Sequence, residues 1–270
     1  MTKNVPQKLI DKIKKYGLSV QGKTAYKTIS AGGKEEFSIT NKDTNTFIVH
    51  PGADSRLNLN GSTKDAIFVL EKNVVVNWFF REEKEINNAR KISAVLESGA
   101  KFNLIFSTRD KIGSDFKINF VLAGASATVN IEEALSGSNF AETSRDILIN
   151  HLAPHTESSY FARAIVGDSA KVAIKIKTII AKRASKSTAH QCINNLIISD
   201  KAAAKGWPQL EINNDDVVCN HALTVGHLNE EELFYASSRG IGRKKALAMI
   251  AEGFLQPIEN KIYDLKGELI

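Results

Sequence analysis

Between Thr46 and Val225 short β-branched or aromatic runs recur: Phe47-Ile48-Val49, Val74-Val75-Val76, Leu104-Ile105-Phe106, Val129-Asn130-Ile131, Val172-Ala173-Ile174 and Leu196-Ile197-Ile198. Runs of this length and composition predict strands. Several lie beside small-residue turns, namely Pro51-Gly52-Ala53, Glu97-Ser98-Gly99-Ala100, Ala123-Gly124-Ala125-Ser126-Ala127, Gly167-Asp168-Ser169-Ala170 and Ser199-Asp200-Lys201-Ala202. A turn that returns after roughly 25 to 45 residues predicts stacked coils of a β-solenoid, in which each coil buries its apolar face against its neighbours. The repeat is imperfect, and on spacing alone a β-sandwich competes.

The flanks follow a helical period. Leu9, Ile10 and Ile13 predict a short helix between Gln7 and Tyr16 that ends before Gly17 and packs on the core. After Val225, Asn229 and Glu232 have capping-box spacing, and Gly240 can end that helix in a left-handed conformation. A second helix is predicted from Arg243 to Glu252, with Ala246, Leu247 and Ile250 on one face and Gly253 as its stop. The expected layout is an N-terminal segment (1–45), a β core (46–228) and a C-terminal helical domain (229–270).

With 270 residues, 43% of them hydrophobic, the chain can bury a substantial core. No segment reaches the roughly 18 to 20 apolar residues of a membrane span, and the amphipathic N-terminus predicts a soluble cytoplasmic protein. A net charge of +6 fits an acidic partner, but the lysines are scattered along the sequence, as on solvated faces. Two cysteines, Cys192 and Cys219, make neither a disulfide framework nor a four-thiolate site within one chain. The sequon Asn60-Gly61-Ser62 carries little weight without a signal peptide.

No G-x-x-x-x-G-K-[ST] loop is present to cradle phosphates, and Gly240-Ile241-Gly242 lacks the third glycine of a dinucleotide loop, so no nucleotide is expected on this chain. Ser136-Gly137-Ser138 reads as a turn rather than a nucleophile elbow. Asp215 and Asp216 would point to opposite faces of a strand and not cooperate as acid and base. His151 and His155 are separated by Pro154, which argues for a loop rather than a ligating helix face. Cys219-Asn220-His221 is the more informative pattern. On a strand the thiol and imidazole share a face and could ligate iron or a cluster, against the alternative of a buried free cysteine beside a polar histidine.

The stretch from Pro208 to His221, PQLEINNDDVVCNH, resembles the P-x-L-E-I-x-x-D-D-V-x-C-x-H signature of SufD-type members of the SufB/SufD family. Thr224-Val225-Gly226, Leu233-Phe234-Tyr235 and Ser238-Arg239-Gly240-Ile241 follow in the family's order, and His151, Ala153-Pro154-His155-Thr156 and Asn195 to Ala202 also resemble it. The resemblance covers residues 145–256; residues 1–140 match only in general pattern. It implies a right-handed parallel β-helix with a C-terminal helical domain, working as a non-catalytic scaffold subunit in iron–sulfur cluster assembly. It further implies pairing with a SufB-type subunit and docking of a SufC-type ATPase, here assigned to Leu247, Ile250 and Phe254. His221, with Cys219 nearby, would lie at the β-helix edge where the partner completes a site for a transient iron–sulfur cluster.

Gln191-Cys192 is similar to the SufB Gln-Cys-Asp segment, but counting back from Ser199-Asp200 places Ile193 at the equivalent position. That slip reverses strand facing unless a bulge restores it. Ala222 and Leu223 stand where many SufD sequences have Gly and Ala. Two rival readings remain: a homodimeric scaffold supplying both family roles, and a nucleic-acid-binding module whose Gly240-Ile241-Gly242-Arg243-Lys244-Lys245 turn offers amides and lysines to phosphates.

Overall fold

The computed structural model describes residues 5–18, 24–29, 31–38, 46–52, 54–60, 65–82, 89–111 and 113–267. Of the sequon, Gly61 and Ser62 lie outside them, as does Ala53 of the first turn. Strands alternate between two eight-stranded sheets. The first holds β1 (Thr24–Ile29), β3 (Thr46–Pro51), β5 (Asp65–Leu70), β7 (Arg90–Leu96), β9 (Asp115–Leu122), β11 (Glu142–His151), β13 (Lys171–Ile180) and β15 (Ala203–Ile212). The second holds β2 (Lys34–Ser38), β4 (Arg56–Asn60), β6 (Val75–Glu82), β8 (Lys101–Asp110), β10 (Thr128–Gly137), β12 (Glu157–Val166), β14 (Ser187–Ile197) and β16 (Val217–His227). Each strand pairs in parallel with the strand two further along the chain, for example Thr128 with Glu157 and Glu142 with Lys171. Such pairing describes a flattened β-solenoid and excludes the antiparallel sandwich.

The solenoid starts earlier than Thr46, because β1 and β2 pair in parallel with β3 and β4. Their sequences, TAYKTI and KEEFS, lack the apolar runs that mark the later strands.

Alternation along each strand decides what is buried. On β13, Val172, Ile174, Ile176 and Ile180 face the interior while Lys171 and Lys175 face solvent. The early coils are filled by rings, with Phe68 packed on Trp78 and Phe102, and Phe106 stacked on Phe80 and Phe116, at centroid separations of 4.9–5.6 Å. Burying each such side chain contributes about 1.5–3 kcal/mol.

At the corners that lead from the first sheet to the second, Asp54, Asn73, Gly99, Ser126, His155 and Lys186 all adopt positive φ. Their amides bond the next corner in a continuous series, Asn73 N to Ser98 O at 2.9 Å and His155 N to Ser185 O at 2.9 Å among them. Gly167-Asp168 and Ser199-Asp200 belong to the opposite corner, between β12 and β13 and between β14 and β15. Two interleaved turn series explain why the repeat looks uneven in sequence.

Helices cover part of both outer faces. Leu9 and Ile13 of α1 (Gln7–Lys15) pack on Ile67, Val69, Val95 and Val121 of the first sheet. After α2 (Glu230–Ser238), α3 (Arg243–Gly267) lays Leu255 and Ile258 on Ala134 and Ile165 of the second sheet. Asn229 caps α2 by accepting from the Glu231 amide at 2.9 Å, and Gly240 has φ +78°. The predicted stop at Gly253 is incorrect: α3 continues through both Gly253 and Pro257. Burial of Leu255, Ile258 and Ile262 beyond that point outweighs the unfavourable helix propensities of those two residues.

Candidate functional site at the open coil

β15 and β16 are the last strands of their sheets, each with a single neighbour in its sheet. The free edge of each leaves backbone donors and acceptors unpaired, a template for another chain. Trp207, Ile212, Val218, Leu223 and Val225, all on these two strands, are exposed.

Register assigns the faces. Ala189, Gln191, Ile193 and Asn195 of β14 are buried and point into the solenoid. Their partners on β16 are Cys219, His221, Leu223 and Val225. Cys219 and His221 therefore share the inner face at the mouth of the last coil, about 7 Å apart along the strand. Leu223, the next inward position on the same strand, reaches across the mouth to Gly206 of β15. A Cβ on Gly206 of β15 would come within 2.5 Å of Leu223 Cδ1, so the glycine makes room for that leucine.

Cys219 is half-buried against Ile180, Ala184 and Ala189. Burial pushes its thiol pKa up, more than the backbone hydrogen bond at Ala189 lowers it, so the thiol holds its proton at neutral pH. His221 is exposed. Beneath it, Gln191 Nε2 donates to Thr178 Oγ1 at 2.8 Å and Gln209 O at 3.0 Å. Gln191 Oε1 is buried with no partner, which leaves an acceptor next to His221 in the ladder. A soft thiol, an imidazole and an adjacent acceptor suit iron ligation, but they are two ligands only. Among the described residues no group of three or more His, Cys, Asp or Glu is placed to hold a metal ion.

Cys192 lies elsewhere. β14 runs in unbroken register with β12 and β16, pairing Cys192 with Phe161 and Ala222, so no bulge intervenes and Ile193 faces inward. Cys192 is on the outer face, opposite to Cys219, where Asn194 Nδ2 lies 3.4 Å from its sulfur. Also outside is His190, whose Nδ1 is 2.8 Å from Asn220 Oδ1. Asp215 and Asp216 sit in the turn before β16, where the Asp216 amide donates to Asn214 Oδ1 at 2.9 Å. His151 is wholly buried, with Nδ1 2.8 Å from Thr156 Oγ1 and Nε2 2.8 Å from Ser158 Oγ, a structural role within the coil.

In the helical appendage Leu247, Ile250 and Phe254 are half-buried. Phe254 packs against the second sheet, with the Arg163 guanidinium 5.3 Å from its ring and donating to its carbonyl at 2.8 Å. Exposed apolar surface comes instead from Phe234, Tyr235 and Met249. The signal for the first two is the run Leu233-Phe234-Tyr235: one face of a nine-residue helix cannot bury three consecutive apolar residues, and only Leu233 is buried.

The chain is thus a parallel β-solenoid whose last coil leaves a free edge on each sheet, followed by a helical appendage. The family profile for the SUF system FeS cluster assembly SufBD core domain matches residues 66–254, and the chain belongs to that family. A SufBD family protein of Synechocystis sp. is 31% identical over 137 residues, covering 50% of this chain and 30% of that protein. SufD of Escherichia coli is 28% identical over 162 residues, 55% of this chain and 38% of SufD. SufB of Bacillus subtilis is 29% identical over 155 residues, 56% of this chain and 33% of SufB. The matched region thus spans about a third of each relative's length. No helix among the described residues is long and apolar enough to cross a membrane.

Proposed function

We propose that this chain is a non-catalytic, SufD-type scaffold subunit that pairs through β15 and β16 with a SufB-type subunit and presents its C-terminal helices to a SufC-type ATPase. The observation that carries this reading is the terminal coil, where a free edge coincides with the Cys219-Asn220-His221 segment in a chain of the SufBD core family. The nascent iron–sulfur cluster is cargo. This chain offers it Cys219 and His221, and the partner completes the ligand set. Because the thiol is held protonated, ligation by Cys219 releases a proton. Gln191 Oε1 can accept from one ring nitrogen of His221 and leave the other for iron.

The decisive experiment co-purifies the chain with SufB-type and SufC-type proteins under anaerobic conditions and follows cluster formation by visible absorption. His221→Ala should leave the complex intact and reduce cluster absorption. Unchanged absorption in an intact complex would make His221 a structural interface residue. For the ATPase, Leu247 and Ile250 remain assigned with Phe234, Tyr235 and Met249, while Phe254 contributes mainly by anchoring α3. Deleting the appendage would uncover Phe161 and Ile165, so Phe234→Ser with Tyr235→Ser is the cleaner test of ATPase capture.

A second reading is a homodimer supplying both roles. The nearly equal identities to SufB, 29%, and SufD, 28%, favour keeping it. Self-association in the absence of any SufB-type protein, with cluster formation by the chain alone, would decide for it.

A further inference from the structure

The first sheet's outer face is covered by α1 only over its early strands, at Ile67, Val69, Val95 and Val121. Beyond them the register gathers lysines that are far apart in the chain. Lys91 of β7 is paired with Lys117 of β9, Lys117 with Asp146 of β11, Asp146 with Lys175 of β13, and Lys175 with Trp207 of β15. Two residues further along the strands, Leu148 is paired with Lys177. Lys91, Lys117, Asp146, Leu148, Lys175 and Lys177 line a groove of about 300 Å³.

Across the strands the row reads Asp65, Lys91, Lys117, Asp146 and Lys175, so the two carboxylates offset part of the lysine charge and one like-charge pair is left. Lys91 and Lys117 are like charges directly opposite each other on neighbouring strands, a placement that destabilises a sheet. Lys117, Asp146 and Lys175 are exposed, and none of them makes an ion pair among the described residues. Lys177 is tied to Glu211 at 2.7 Å.

We infer that this groove binds an acidic polypeptide segment, laid across the strands, with the pattern acidic–x–basic–x–acidic. Strands are about 4.8 Å apart, so the midpoint of Lys91 and Lys117 lies about 7 Å from Asp146, and Lys175 about 5 Å beyond it. Alternate side chains of an extended peptide are about 6.6 Å apart and on one face. An acidic residue thus meets the Lys91–Lys117 pair, a basic one meets Asp146, and a second acidic one meets Lys175. The intervening side chains of the peptide point away from the sheet, so recognition rests on the three charged positions. Asp146 selects against a nucleic acid, because a carboxylate in the middle of the line repels a continuous phosphate backbone.

The test uses the full chain and a fluorescein-labelled peptide, Gly-Glu-Leu-Lys-Leu-Glu-Gly, titrated by anisotropy at low salt. The wild type binds it, and Lys117→Glu with Lys175→Glu weakens binding about tenfold, as expected for two reversed ion pairs. Adding Lys91→Glu and Asp146→Lys to that double variant creates a site for the charge-reversed peptide, Gly-Lys-Leu-Glu-Leu-Lys-Gly, which the wild type rejects. Far-UV circular dichroism and melting curves confirm that the variants are folded. Absence of peptide binding, equal binding by the double variant, or failure of the charge-reversed pair overturns the inference. Tighter binding of a labelled twelve-nucleotide oligothymidylate, lost in the same double variant, overturns it in favour of nucleic acid.

Discussion

His151 shows how a family-like residue can serve the coil rather than the chemistry. Both ring nitrogens meet hydroxyls, of Thr156 and Ser158, and burial lowers its pKa to about 4. The folded state therefore favours neutral imidazole. Its contribution is complete above the unfolded value near 6.5 and is lost as pH falls towards 4, amounting to about 3 kcal/mol in all. Urea unfolding at pH 7.5 and 4.5 should show wild type losing about 2 to 3 kcal/mol more than His151→Gln over that interval. Equal losses would show that His151 is not the titrating group. Arg145 is a second buried polar centre. Its Nε donates to Glu133 Oε1 at 2.5 Å, Tyr160 donates to Glu133 Oε2 at 3.1 Å, and the guanidinium lies 4.3 Å from the Phe116 ring centre. Burial opposes the Arg145 charge, but Glu133 and Asp110 outweigh it and raise the pKa. Arg145→Met should cost about 3–5 kcal/mol by leaving Glu133 buried and unpaired, and adding Glu133→Leu should recover much of it. A double-mutant cycle by chemical denaturation checks this; additive losses would show that the two do not act as a pair.

At the scale of elements, α3 separates propensity from context. A helix ending at Gly253 would place that glycine in a left-handed turn, where alanine is strained. In the continuous helix Gly253 is exposed, and an added Cβ meets nothing within 4 Å. Gly253→Ala should therefore stabilise by about 0.5–1 kcal/mol, read as a rise in the denaturation midpoint. A fall would restore the shorter helix. A different device joins the strands of the second sheet on its outer face. Asn103 Nδ2 donates to Asn77 Oδ1 at 2.8 Å, Asn130 Nδ2 to Asn103 Oδ1 at 2.9 Å, and Ser159 Oγ to Asn130 Oδ1 at 2.8 Å. The triplets Val76-Asn77-Trp78, Phe102-Asn103-Leu104 and Val129-Asn130-Ile131 carry this ladder openly in the sequence. They give a sharper repeat than the turns, because they all fall in one sheet.

For the whole molecule, the consequential feature is that the sheets end on exposed strands. Val218 is 63% and Val225 42% exposed on β16. Replacing both by lysine should weaken association with a SufB-type partner, or with a second copy, about tenfold while leaving the fold intact. Sedimentation and co-purification measure the effect; unchanged assembly would place the interface elsewhere.

Strand runs, small-residue turns and the flanking helical periods, local signals set by side-chain sterics and alternation, determined a mainly β chain with flanking helices, and the resemblance carried by Pro208 to His221 separated solenoid from sandwich. Sequence alone also placed Cys219 and His221 on one face, because a two-residue offset on a strand has that consequence wherever the strand lies. Tertiary structure decided what depends on register between coils. It put Cys192 outside and Cys219 inside, set Gln191 beneath His221, and gathered Lys91, Lys117 and Lys175 from three strands into one groove. Residues 26 to 32 positions apart become neighbours only when coils stack, and a one-residue change in that stacking would turn each of these side chains to the other face.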